Sequence, residues 1–333
     1  LLRAKAVPRG VTGYFVGKIV ASAGSVIVQV IVVLGVGIVI IGGSSWFTRT
    51  VRPSREMSVP LRATGRRPAP RTTVCAVTRT RSTPRPAAMR NAKQGIDELS
   101  RPGPLTVLRG DLGMSGIPGV IYAPEEGLGL PAVAFGHDWL QPPARYADLL
   151  RHLASWGFVT AAPSSHRGPL PSHAGFAADL RSALQVCVGV RLGDGRISVD
   201  SRRTAFAGHG IGGGAALVAA AGFERVAAVV TLAVAQTHPS ALEAARKLTV
   251  PVLHLAAGKD LVAPPAGPAE QIALSAGGPV ILRTLPKASH TGFLDGRHWS
   301  DALLAGSPDG KVRRLTRALV TAFLMRHLCD EDR

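Results

Sequence analysis

The chain has 333 residues, a formal net charge of +18 and 46% hydrophobic content, which supports at least one packed core and excludes a wholly disordered chain. The charge is unevenly placed: of 39 Lys+Arg and 21 Asp+Glu, 14 and one lie between Leu1 and Ala88, against 25 and 20 from Met89 onward. The basic excess therefore belongs to an N-terminal arm, and the remainder reads as a mildly basic globular domain rather than a nucleic-acid-binding one. Cys75, Cys187 and Cys329 are odd in number and form no C-x-x-C, which argues against a disulfide framework or a zinc site and is compatible with a reducing compartment.

Residues 1–18 form a short basic segment. From Ile19 to Gly43 the chain is uncharged and rich in Val, Ile and Gly, a run longer than the roughly 20 residues that span a bilayer. Trp46 and Phe47 close it where an interfacial aromatic belt lies, so a transmembrane helix is predicted over 19–47. Arginines at 49, 52, 55, 62, 66 and 67 outnumber the cations before the run, an asymmetry that puts the C-terminal domain in the cytoplasm. Residues 48–100 are Arg-, Pro- and Thr-rich without periodicity and read as a disordered linker. Its charge suits an anionic membrane surface, with nucleic acid the weaker partner and a solvated tether the plain alternative. If translation begins at Met89 instead, the protein is a cytoplasmic one without the arm.

In the domain over 101–333, short apolar runs alternate with helical patterns, the mark of a mostly parallel sheet with helices on both faces. Strands are predicted at Thr106–Arg109, Val120–Ala123, Pro131–Gly136, Phe158–Ala162, Thr204–Ala207, Val226–Ala233, Val250–Ala257 and Val280–Leu285. Helices are predicted at Arg145–Ser155, Phe176–Val190, Ala215–Ala221, Ala269–Ala276 and Val312–Leu328. The stretch FAGHGIGGGAALVAAAG from Phe206 to Gly222 is the centre of this pattern: a strand runs into a glycine-rich corner and out into an alanine-rich helix.

Four segments carry a resemblance: AFGHDW at Ala134–Trp139, GHGIGGG at Gly208–Gly214, AAGKDLVAPP at Ala256–Pro265 and KASHTGF at Lys287–Phe293. In this order, around these strands, the chain from about Leu105 to Leu328 resembles the α/β-hydrolase superfamily, in particular its dienelactone hydrolase, chlorophyllase and cutinase-type polyester hydrolase branch. The resemblance implies an α/β-hydrolase fold with a triad in the chain order Ser, Asp/Glu, His. The family corner reads G-x-S-x-G; here Gly210 stands at the serine position and has no atom that attacks a carbonyl. By the same resemblance Asp260 would orient His290, and backbone N–H groups of Ile211 and of Asp138 or Trp139 would form the oxyanion hole. His137 and His209 read as structural, and none of Ser164, Ser165, His166 and Ser289 sits on an elbow.

Losing a triad nucleophile costs on the order of a millionfold in kcat, whereas a glycine relieves the roughly 1–3 kcal/mol of backbone strain that a side chain bears at such a corner. The first expectation is thus a non-catalytic hydrolase homologue that binds a small apolar ester-like ligand or a protein partner in the old cleft. The alternative is a weak ester or lactone hydrolase in which His290 activates water. A third class stays open because Gly208-x-Gly210-x-x-Gly213 also fits the dinucleotide-binding pattern, but the strand ending Leu232–Gln236 supplies no acid for a ribose. Neither a metal nor an organic cofactor is expected.

Overall fold

The computed structural model describes residues 92–301 and 306–329. The basic segment 1–18, the predicted transmembrane helix 19–47 and most of the linker lie outside these residues; among the described residues no helix is long and apolar enough to cross a membrane. Eight strands form one sheet: β1 (Val107–Asp111), β2 (Gly119–Pro124), β3 (Gly127–Gly136), β4 (Val159–Pro163), β5 (Ile197–His209), β6 (Ala228–Leu232), β7 (Val252–Ala257) and β8 (Val280–Leu285). Their order is β1-β2-β4-β3-β5-β6-β7-β8. The β1–β2 and β2–β4 pairs are antiparallel, and every pairing from β4 to β8 is parallel.

Side chains alternate across these strands, which is why the parallel strands are continuously apolar in sequence. On β3, Val133 and Phe135 join one core cluster while Ala132 and Ala134 join the other; on β7, Leu253 and Leu255 oppose Val252 and Ala256. Helices α1 (Ala92–Leu99), α2 (Ala147–Ser155) and α7 (Gly310–Leu328) cover the first face. Helices α3 (His173–Gly189), α4 (Ile211–Ala221), α5 (Ala241–Lys247) and α6 (Glu270–Ser275) cover the second.

All eight predicted strands and five predicted helices are present, with boundaries moved by the tertiary context. The largest extension is β5, which begins at Ile197, where Gly127 of β3 pairs with it across an irregular register. Helix α5 was not expected, although Ser240 and Glu243 spell a capping signal three residues apart, and the Ser240 hydroxyl does accept from the Glu243 N–H at 3.3 Å. The linker expected through residue 100 ends earlier. Residues Ala92–Leu99 are helical because Leu99 is buried in the core and Asp97 pairs with Arg314 of α7. Among the cysteines, Cys187 is a buried free thiol that burial pushes up to about 12, while Cys329 is disulfide-bonded, contrary to the reading of the spacing.

Candidate active site

The corner at Gly210 is built from backbone. Gly210 has φ 52° and ψ −119° and caps α4 directly after β5. Its N–H donates to the Leu232 carbonyl at 3.0 Å, and its own carbonyl accepts from Gly213, Gly214 and Ala235. Two residues further on, a Cβ at Gly212 would overlap the carbonyl oxygens of Gly136 and His137. The small residues of the motif therefore let α4 lie directly on the ends of β3 and β5.

Asp260 and His290 meet as expected from their places in the chain. Asp260 follows β7; its Oδ1 accepts from the N–H groups of Val262 and Ala263, both at 2.8 Å, which leaves Oδ2 to accept from His290 Nδ1 at 2.7 Å. His290 opens the short 3-10 turn His290–Phe293 after β8. Both side chains are buried, with residue exposures of 4% and 1%, so their contact is screened little by water.

The other nitrogen of the imidazole is occupied by a side chain expected to contribute only its backbone. His290 Nε2 lies 2.8 Å from Asp138 Oδ2, and Asp138 Oδ1 accepts from the Ile211 N–H at 3.0 Å. Of the expected oxyanion donors, the Ile211 N–H is thus directed at Asp138. The Asp138 N–H donates to the Tyr146 hydroxyl at 3.0 Å. No room is left for a hydroxyl at the corner either, since a Cβ on Gly210 would overlap Asp138 Oδ1. The sequence signal was available: an acid stands in the loop immediately after β3, the strand adjacent to the corner.

Charge follows from this geometry. Burial alone would lower the pKa of His290, but the charge and hydrogen bond of Asp138, joined by those of Asp260, outweigh it and hold the imidazole up to about 10. Burial would raise Asp138, yet the neighbouring His290 cation keeps it well below the usual carboxylate range. His290 is consequently an imidazolium clamped between two carboxylates.

His209, expected to be structural, takes part in the supporting network. Its Nε2 bonds the His290 carbonyl at 3.0 Å, so that nitrogen carries the proton and Nδ1 accepts from the Tyr146 hydroxyl at 2.9 Å. Burial drives its pKa down to about 4 and keeps it neutral. His137 bridges the Asp138 and Ser165 carbonyls, each at 2.8 Å, tying the loop after β3 to the loop after β4. Asp138, His209 and His290 also bring ligand-type atoms within 4.8 Å of one another, the arrangement among the described residues that comes nearest to a metal site. Every nitrogen of the two imidazoles is already hydrogen-bonded within the protein, so these residues are satisfied as a proton-sharing network and do not present a free donor set to a metal.

The sheet order, the backbone corner between β5 and α4, and an acid–histidine pair after the last two strands, β7 and β8, define an α/β-hydrolase. The chain belongs to the PETase family, described as PET hydrolase-like, which matches residues 103–274. That span includes Asp138, Gly210 and Asp260 and ends before His290, whose place in the site rests on its contacts. No curated protein matches the chain.

Proposed function

We propose that this protein is a non-catalytic member of the PET hydrolase-like family, in which Gly210 replaces the serine nucleophile and the cleft binds rather than cleaves. One observation carries the reading. Asp138 Oδ2 sits 2.8 Å from His290 Nε2, at the nitrogen that a triad histidine uses to take the proton from its nucleophile. Asp260 and His290 keep the relative arrangement of a triad acid and base, but the base is protonated and its partner is a carboxylate.

The dienelactone hydrolase-type branch fits the four motifs, and the ligand we assign is a small ester-like molecule or a part of a protein partner. The basic arm before Met89 would hold the domain near an anionic membrane surface. The alternative, a hydrolase whose His290 activates water, requires a free lone pair on Nε2. An imidazole held up to about 10 does not offer one near neutrality. The test is hydrolysis of p-nitrophenyl butyrate by wild type and His290→Ala: equal rates, both near background, are expected. Turnover by wild type that disappears in His290→Ala would overturn the reading.

A further inference from the structure

We propose that the groove between α7 and the edge strand β8 binds a free long-chain carboxylate, its chain on the apolar floor and its head group on Arg283 and Arg326. The groove lies at the start of β7 and β8, whereas Asp260 and His290 follow the ends of these strands. The inference is therefore independent of how the corner at Gly210 is read.

The groove exists because α7 packs on β5, β6 and β7 while the sheet runs on to β8. Ile281 pairs with Leu253 and Arg283 with Leu255, so all four side chains point to the first face. Leu253 and Leu255 are buried there, but Ile281 is 43% exposed and Arg283 is exposed as well. Leu253, Ile281, Leu319 and Phe323 line a groove of about 610 Å³, within the roughly 300–1,000 Å³ of ligand sites. Its helical wall is fixed in place. Arg203 Nε and Nη2 donate to the carbonyls of Leu328 and Cys329 at 2.6 and 3.1 Å, which pins the end of α7.

The chemistry of the lining selects the occupant. Pro251 and Pro279 have no N–H to offer, and their carbonyls already accept from Val229 and Val252 at 3.0 and 2.9 Å. No acid lines the groove, and the charges it presents are the guanidiniums of Arg283 and Arg326. Arg283 gives one bond, to the Leu282 carbonyl at 3.2 Å, and neither arginine pairs with an acid among the described residues. A guanidinium binds a carboxylate through two parallel hydrogen bonds, and each methylene that leaves water for the floor adds affinity. A bilayer has the wrong shape for this site. Leu253 and Phe323 are only 3% and 6% exposed, so a single chain entering the groove reaches them and a flat surface does not.

The probe is dansyl-undecanoate, with its uncharged primary amide as the control, titrated by fluorescence into the full chain held in an uncharged amphipol. The acid should saturate a single site per chain and bind at least about tenfold more tightly than the amide. Arg283→Gln combined with Arg326→Gln should abolish that preference and leave the amide bound as before. Ala322 lines the groove from an exposed position on α7. Ala322→Trp should therefore fill the groove without disturbing the core, and weaken acid and amide alike by at least about tenfold. The proposal is overturned if acid and amide bind wild type equally, if the double Gln variant keeps the preference, or if Ala322→Trp binds the acid as wild type does. If the two arginines serve a bilayer instead, the double variant will lose co-sedimentation with phosphatidylglycerol vesicles while its affinity for dansyl-undecanoate matches wild type, and that result overturns the proposal too.

Discussion

Asp138 bonds His290 from the loop after β3, 152 residues away in the chain, with Oδ2 at 2.8 Å from Nε2. The contact converts a candidate catalytic base into one half of a buried ion pair. Several measurable consequences come from that pairing and from the backbone that frames it.

Gly210→Ser alone should not create an esterase. The new Cβ would overlap Asp138 Oδ1, and His290 would still be charged. Gly210→Ser combined with Asp138→Ala removes both obstacles and frees the Ile211 N–H. The double variant should hydrolyse p-nitrophenyl acetate at least about a hundredfold faster than wild type, a small part of the roughly millionfold that a triad nucleophile contributes. If the single variant already matches the double one, Asp138 does not block the corner.

The stability of the domain should peak near pH 6.5. His290 is raised from 6.5 to about 10, so its contribution is complete below pH 6.5 and is lost as the pH climbs through about 10. His152, His209 and His254 are each lowered to about 4, all by burial in the first place. Their contributions are present above pH 6.5 and disappear as the pH falls through about 4. A melting temperature followed from pH 4 to 10 should therefore rise and then fall, and Asp138→Asn should flatten the alkaline limb. A melting temperature that increases steadily from pH 7 to 10 contradicts the charge assigned to His290.

Asp301→Ala should cost about 3–5 kcal/mol in chemical denaturation, the range for leaving one member of a buried ion pair alone. Arg145 reaches Asp301 through both terminal nitrogens, at 2.5 and 3.1 Å, and also bonds Gln141 Oε1 and the carbonyls of Asp295 and Gly296. This guanidinium joins the loop that carries Asp138 to the segment that follows His290. Asp301→Asn, which keeps an acceptor, should lose less; an equal loss in both variants would show that charge alone accounts for the effect.

Gly212→Ala should destabilise by at least about 1–3 kcal/mol, the usual range for overpacking, because the added methyl overlaps two backbone carbonyls at the end of β3 and its loop. Gly168→Ala provides the control, since a Cβ there meets nothing within 4 Å. Similar unfolding midpoints for the two variants would mean that α4 can lift off the sheet without cost.

Much of the fold was readable before any coordinates. Period-2 burial on β3 and β7 makes continuous apolar runs, and helical spacing of Leu149, Leu150 and Leu153 marks α2. Glycines crowd where a helix must touch strand ends. These signals are local, so they survive in the linear chain. Helix α5 was missed even though its Ser240–Glu243 cap is local, because seven residues give too short a period to read. The ends of β5 and α1 were decided by their neighbours, β3 and α7, which the chain order does not reveal.

That Gly210 offers no attacking atom, and that Asp260 and His290 stand after consecutive strands where they could pair, can be read from the chain order alone, since side-chain identity and position relative to strands are properties of the chain. What fills the corner is set by the folded arrangement. Asp138, Ile211 and His290 come from three distant segments, which follow β3, β5 and β8 at the same end of a run of parallel strands. Whether a carboxylate turns toward a histidine depends on burial, on the spare N–H groups around it and on the charge it meets, and none of these is written in the spacing of residues.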